Sequence, residues 1–211
     1  LRLMKKKYNF FVFDLDGVIF DSKSNMSLAW NQTREKLNLK PTFISYFKKI
    51  GKPFDQIMKS LNIDPTPEIS NCYKEHSLKY IKKIKLYHNV KKILNILKKR
   101  NIKFSIVTSK DRARTMFLLN KFNIYPHSIH CPRTNIPGKP YPDMLISAIK
   151  KNRTKNLNCC YVGDTYIDYK TAKNAKIDFI FANYGYGKIK TKYNFVIRSP
   201  KDLFRYLDHN S

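Results

Sequence analysis

Acidic residues are scarce in this chain: 15 Asp and Glu stand against 42 Lys and Arg in 211 residues, a formal charge of +27. A surplus of that size admits a nucleic-acid or anionic-surface partner. The lysines, however, are scattered in runs such as Lys82-Lys83 and Lys98-Lys99-Arg100, which read as solvated helix faces, and are not gathered into a tail. Glycine is also rare, at six, while Lys, Asn, Ile, Tyr and Phe are abundant, the pattern of an AT-rich genome. We therefore read the charge as composition and expect non-specific polyanion affinity, with no specific nucleic acid. Cysteine is sparse too. Cys72, Cys131, Cys159 and Cys160 show no CxxC spacing and no His ligand pattern, which argues against a disulfide framework or a zinc site and suits a reducing cytoplasm. No apolar run is long enough to span a bilayer. The opening LRLMKKKYNFFVFD is basic then apolar, like a secretory signal, but the run is short and Asp14 ends it, so no signal is expected. Whether Leu1–Leu3 ahead of Met4 are native stays open, as does the oligomeric state. Internal repeats and low-complexity segments are lacking.

What is present centres on Tyr8–Phe20, YNFFVFDLDGVIF. The short apolar run Phe10–Phe13 predicts a central strand buried on both faces. It ends in two acids two residues apart, whose side chains point the same way and can meet beyond the carboxyl end of the strand, where open α/β sheets bind ligands. The same residues also read as a strand followed by an ordinary acidic turn.

Residues 21–84 read as helical without strands. Trp30, Leu37 and Leu39 mark a first segment stopped by Pro41, and a second runs near Phe43–Ile50. Phe54, Ile57, Met58 and Leu61 recur at helical spacing after the Gly51-Lys52-Pro53 break, and another helix follows Asp64-Pro65-Thr66-Pro67 and ends near Ile84. A helical block between two strands of one sheet predicts an insert, giving a core of 1–19 and 85–211 and a cap of 20–84. From Tyr87 onward helices and strands alternate, the rhythm of a parallel sheet. Strands are predicted at Ile102–Val107, near Ile129, and over Cys159–Val162, Phe179–Ala182 and Phe195–Ile197. Helices are predicted over Ala113–Phe122, Met144–Lys150 and Lys201–Leu207. A chain of this length holds one α/β domain with a small insert.

In such a sheet all strand carboxyl ends face one side, so Asp14/Asp16, Thr108-Ser109, Lys139 and Asp164/Asp168 fall on one rim. Thr108-Ser109 is expected just ahead of a helix N-terminus, where an anion is favoured. Asp164 and Asp168 are read as i and i+4 on the first turn of a helix. Each reads singly as a cap, a dipole partner or a surface lysine. Together they supply carboxylates for a hard cation, a hydroxyl for phosphate, and a lysine, the parts for Mg²⁺-assisted phosphoryl transfer through an aspartyl-phosphate.

With FVFDLDGVIFDS, IVTSK, GKPYPD and YVGDTYID in this order, the chain resembles the haloacid dehalogenase superfamily of phosphohydrolases. Looser matches extend the resemblance over nearly the whole chain, and the helical insert is similar to the small C1-type cap of the phosphoglycolate phosphatase and β-phosphoglucomutase branch. The resemblance implies a Rossmann-like α/β core and Mg²⁺. It also implies roles. Asp14 would be the nucleophile and Asp16 the general acid and then base. Thr108 with the Ser109 amide would bind the phosphoryl oxygens, and Lys139 would screen Asp14 from the phosphate. Asp164 would hold the metal with Asp14 and the Asp16 carbonyl, with Asp168 a ligand or a partner of metal-bound water. Family members that displace halide lack the second acid, so Asp16 argues for phosphoryl transfer. Lys52, in the cap loop, is the candidate cap contact. The expected activity is hydrolysis of a small phosphomonoester such as phosphoglycolate, a sugar phosphate or a nucleoside monophosphate. A phosphomutase is the alternative enzyme, and a polyanion-binding protein the alternative of another class.

Overall fold

The computed structural model describes residues 6–153, 158–188 and 192–207; Leu1–Leu3 lie outside them. Phe10–Phe13 form β1, and all four residues are buried. Phe11 and Phe13 pack into one apolar cluster and Phe10 and Val12 into a second on the opposite face. The sheet is thus covered on both sides, which is why β1 lacks the polar alternation of a half-exposed strand. The other strands are β2 (Phe20–Asp21), β3 (Lys85–Leu86), β4 (Lys103–Val107), β5 (Ser128–His130), β6 (Cys159–Gly163), β7 (Asp178–Ala182) and β8 (Phe195–Ile197). Six of them form a sheet in the order β5-β4-β1-β6-β7-β8, with every pairing parallel. Phe13 lies opposite Ile106 of β4 and Val162 of β6. The chain winds away in opposite directions on the two sides of β1, which opens a crevice at the carboxyl ends of β1, β4 and β6.

Antiparallel β2 and β3 form a two-stranded stem. Between them run α1 (Lys23–Lys36), α2 (Phe43–Phe47), α3 (Phe54–Lys59), α4 (Pro67–Lys79) and a 3₁₀ turn at Ile81–Lys83. These helices bury a cluster of their own around Trp30, Tyr46, Met58 and Tyr73, pinned by Trp30 Nε1 donating to Pro41 O at 3.0 Å. Thr66 caps α4 by accepting from Ile69 N at 3.3 Å, and Pro67 occupies the first turn, where its missing N–H costs nothing. On the core, α5 (Val90–Lys99), α6 (Arg112–Lys121), α7 (Asp143–Asn152) and α8 (Tyr166–Asn174) flank the sheet, and a 3₁₀ segment at Pro200–Tyr206 replaces the expected closing α-helix.

α1 stops at Lys36, before Pro41, because Asn38 takes a left-handed φ of 50°. Asn101 after α5 (φ 54°), Asn123 after α6 (φ 55°) and Lys176 after α8 (φ 56°) do the same. After α5, Asn101 N reaches Lys98 O at 3.1 Å and Ile102 N reaches Leu97 O at 2.9 Å. This is the paired-bond helix stop that usually uses glycine; here no glycine serves it. The six glycines lie elsewhere. A Cβ at Gly17, Gly163, Gly185 or Gly187 would collide with Asp164 or Asp168, one at Gly51 with Thr165, and one at Gly138 with Pro53.

Candidate active site

Asp14 follows β1 and is 5% exposed; its N–H donates to Val162 O at 2.9 Å, which extends the sheet register into the site. Lys139 arrives in the loop before α7 and is fully buried, with Nζ 2.7 Å from Asp14 Oδ1 and 2.7 Å from Asp168 Oδ1. One ammonium between two carboxylates answers the repulsion that the sequence posed.

Asp164 and Asp168 stand differently from the expectation. The helix begins at Tyr166 with Thr165 as N-cap, so Asp164 lies in the loop before it and only Asp168 is helical. Asp168 completes a capping box: its Oδ2 accepts from Thr165 N at 3.0 Å and from Thr165 Oγ1 at 2.5 Å, while Oδ1 accepts from Lys139 and from the Tyr161 hydroxyl at 2.8 Å. Both its oxygens are thus occupied. Asp164 Oδ2 accepts from Tyr186 N at 2.6 Å, but Oδ1 is buried and has no hydrogen-bond partner. Oxygens of Asp14, Asp164 and Asp168 lie within 4.8 Å of one another, the metal-capable acidic group among the described residues. Burial, opposed by Lys139, pushes Asp14 up to about 7. Burial and the nearby Asp168 and Asp14 charges push Asp164 well above the carboxylate range. A buried carboxylate oxygen without a donor, beside a second acid, fits a hard divalent cation.

Gly17 makes this arrangement possible. Its φ is +91°, and the space a Cβ would need is filled by the Asp164 carboxylate.

Thr108 follows β4 and is 1% exposed, with Oγ1 accepting from Lys110 N at 3.2 Å. It does not stand directly before the helix. Asp111 caps α6, accepting from Arg114 N at 3.0 Å; aspartate is among the most favoured N-cap residues. Ser109 directs its hydroxyl to Gly51 O of the insert at 2.7 Å. Asp16 accepts from Ser22 Oγ at 2.5 Å and meets Lys110 Nζ at 3.1 Å. Lys52 Nζ donates to Ser60 Oγ at 3.0 Å. Asp14, Asp16, Thr108, Ser109, Lys139 and Lys52 all line one cavity of about 70 Å³ walled by both core and insert; Asp164 and Asp168 are not in its lining.

Sequence reasoning missed several participants. Lys110 stood inside IVTSK but carried no assigned role. Tyr161 was read as strand core and is, yet its hydroxyl holds Asp168. Tyr46, Tyr73 and Arg114 also line the cavity, and nothing in their local sequence separates them from other tyrosines and arginines of a basic, tyrosine-rich chain.

The haloacid dehalogenase-like hydrolase family matches residues 11–182. The phosphoglycolate phosphatase of Aquifex aeolicus is 25% identical over 205 residues, covering 94% of this chain and 96% of the relative. The β-phosphoglucomutase of Bacillus subtilis is 24% identical over 228 residues, covering 94% and 92%. The crystal structure of a hydrolase from Pseudomonas syringae shares the fold, with a TM-score of 0.83 at 24% identity over 92% of this chain and 95% of that one. The chain belongs to the haloacid dehalogenase-like hydrolases.

Proposed function

We propose that the chain is a Mg²⁺-dependent phosphatase that hydrolyses a small phosphomonoester through an aspartyl-phosphate on Asp14. The observation that carries this is the Asp14–Lys139–Asp168 triad at 2.7 Å contacts beside the partnerless Asp164 oxygen. Asp14 and Asp164, with the Asp16 backbone carbonyl, would hold the cation, which supplies charge neutralisation at the phosphoryl oxygens.

Asp14 attacks phosphorus in line, forming the O–P bond as the bond to the leaving oxygen breaks. Lys139 keeps Asp14 and the incoming dianion from meeting as like charges. Asp16 gives its proton to the leaving oxygen, then takes one from the water that cleaves the aspartyl-phosphate, returning Asp14 and releasing phosphate. Thr108 and the Ser109 amide bind the phosphoryl oxygens. Asp168 fixes Lys139 and stands behind the metal ligands. Residues 20–84 act as a cap over a core of 1–19 and 85–211, with Lys52 facing the substrate, and the enzyme acts in the cytoplasm on phosphoglycolate, a sugar phosphate or a nucleoside monophosphate.

The mutase reading draws on the β-phosphoglucomutase relative. It differs in the fate of the phosphoryl group, which returns to substrate instead of water. The test is phosphate release from a panel of small esters with Mg²⁺, beside EDTA and Asp14→Asn controls. Release by the wild type alone, lost with EDTA, supports the phosphatase. Isomerised product without free phosphate supports the mutase. A folded, Mg²⁺-binding protein that does neither sinks both and leaves polyanion binding.

A further inference from the structure

The reaction above makes no use of Arg114, although this arginine is 7% exposed and lines the cavity. A buried guanidinium costs free energy unless its donors are met. Asp111 meets part of that need, with Oδ2 accepting from Arg114 Nε at 2.5 Å, and it is the one carboxylate paired with Arg114 among the described residues. The Nε bond sets the plane of the guanidinium; its other donors reach toward the Tyr73 hydroxyl oxygen and leave further N–H groups for another acceptor.

Across from it stands Tyr73 of the insert, its ring centroid 5.3 Å from Arg114 Cζ. The Tyr73 oxygen accepts from the Tyr46 hydroxyl at 3.0 Å, so its own hydrogen can donate elsewhere. Two neighbouring donors therefore face one cavity, one on a core helix and one on the insert.

The charges in the wall are unequal. Asp14 is answered by Lys139 and Asp16 by Lys110; Arg114 and Lys52 then remain as cations without a carboxylate inside the cavity. We propose that Arg114, with the Tyr73 hydroxyl, binds a second anionic group, so that the substrate is a phosphomonoester whose leaving group carries a carboxylate or a phosphate of its own. This rests on the phosphatase reading above. The aromatic faces of Tyr46, Phe54 and Tyr73 would flank the short carbon part of that leaving group. A substrate holding both walls at once would also tie the insert down over the reacting phosphorus.

The test compares kcat/KM for 2-phosphoglycolate, 1,2-ethanediol bisphosphate and 2-hydroxyethyl phosphate in the wild type, Arg114→Gln, Arg114→Lys and Tyr73→Phe. The wild type is expected to favour one anionic ester over the neutral one, and Arg114→Gln to cut that preference roughly tenfold or more. Arg114→Lys and Tyr73→Phe should fall between them. Comparing preference between variants cancels the intrinsic reactivity of the esters. The ester whose advantage is lost identifies the second group as carboxylate or phosphate. An arginine that only pins α6 to the insert would slow all three esters in proportion, and an unchanged preference overturns the proposal. A wild type with no preference for either anionic ester overturns it without recourse to a variant. No turnover of any ester, by a folded protein that binds Mg²⁺, is instead the failure of the phosphatase reading, and the proposal falls with it.

Discussion

Asp164 is placed where the described protein atoms do little to stabilise a charge: one oxygen has the Tyr186 amide and the other has no partner, and burial pushes its carboxyl well above the ordinary carboxylate range. Asp164→Asn keeps the shape and the Tyr186 bond and removes the charge. Its melting temperature without metal is expected to stay close to that of the wild type, within about 1 kcal/mol, because burial already keeps the Asp164 carboxyl neutral there, while the Mg²⁺-induced rise of the wild type disappears. A larger fall in metal-free stability would contradict this account of the site. The pH dependence follows from the same burial. Asp14 is pushed up to about 7 and Asp164 upward as well, so between about pH 4 and pH 7 the folded state holds protons that the unfolded state has released. Stability from these groups therefore falls as pH rises through that window. His130 runs the other way: burial and the charges of Arg133 and Arg112 lower it to about 4, and it stabilises above 6.5 and loses that contribution on acidification. It lines a separate cavity, so the difference made by Mg²⁺ isolates the carboxylates. Melts at about pH 5.5 and 7.5 should show the larger Mg²⁺ gain at the higher pH, and equal gains would count against the acidic pair as the site. At this scale Asp14, Asp16, Lys139 and Asp164 were legible because their spacing is written along the chain. Lys110 and Arg114 were not, because what distinguishes them is burial and facing partners, which a lysine-rich sequence does not encode locally.

Helix ends show where pattern stops informing. The apolar face of α5, Val90, Ile93, Leu94 and Leu97, is buried as its period predicts. α6 starts at Arg112, one residue from the expected Ala113, with Asp111 as its cap; the start of α8 was misplaced, because the Thr165–Asp168 box moves Asp164 out of the helix. That displacement matters for chemistry, since a loop aspartate can turn its oxygen toward Asp14. The stops are equally local. Asn101→Ala should cost about 1–2 kcal/mol, since alanine lacks the polar side chain that eases the left-handed region, while Asn101→Gly should stay within about 1 kcal/mol of wild type. Urea denaturation measures both, and an alanine variant as stable as the glycine variant would refute the role given to Asn101. In the insert, Gly51 has φ +94° and abuts Thr165 Oγ1, and its carbonyl receives the Ser109 hydroxyl. Gly51→Ala is expected to raise KM more than it lowers stability, read by steady-state kinetics beside a melt, because the strain falls where insert and core meet above Asp14.

For the molecule as a whole, the parallel architecture and the helical insert were legible from the alternation of patterns, since buried strands and amphipathic helices differ in period. The short stem β2–β3 was not, as two residues per strand carry no period. The +27 charge also belongs to this scale. Turnover of a small ester should change only modestly between about 50 and 200 mM salt, whereas binding through many phosphate contacts would weaken by roughly 10³ or more. Activity assays across salt, beside a DNA-binding titration, separate a surface charge set by composition from a functional one. The distribution of glycine has a further consequence. This sequence hands asparagine and even lysine the left-handed turns that glycine normally fills, and keeps its six glycines where a methyl group would strike Asp164, Thr165, Asp168 or Pro53. Under such compositional drift, the places where the smallest residue persists trace the outline of the catalytic pocket, and a census of one amino acid becomes a map of where backbone must crowd against chemistry.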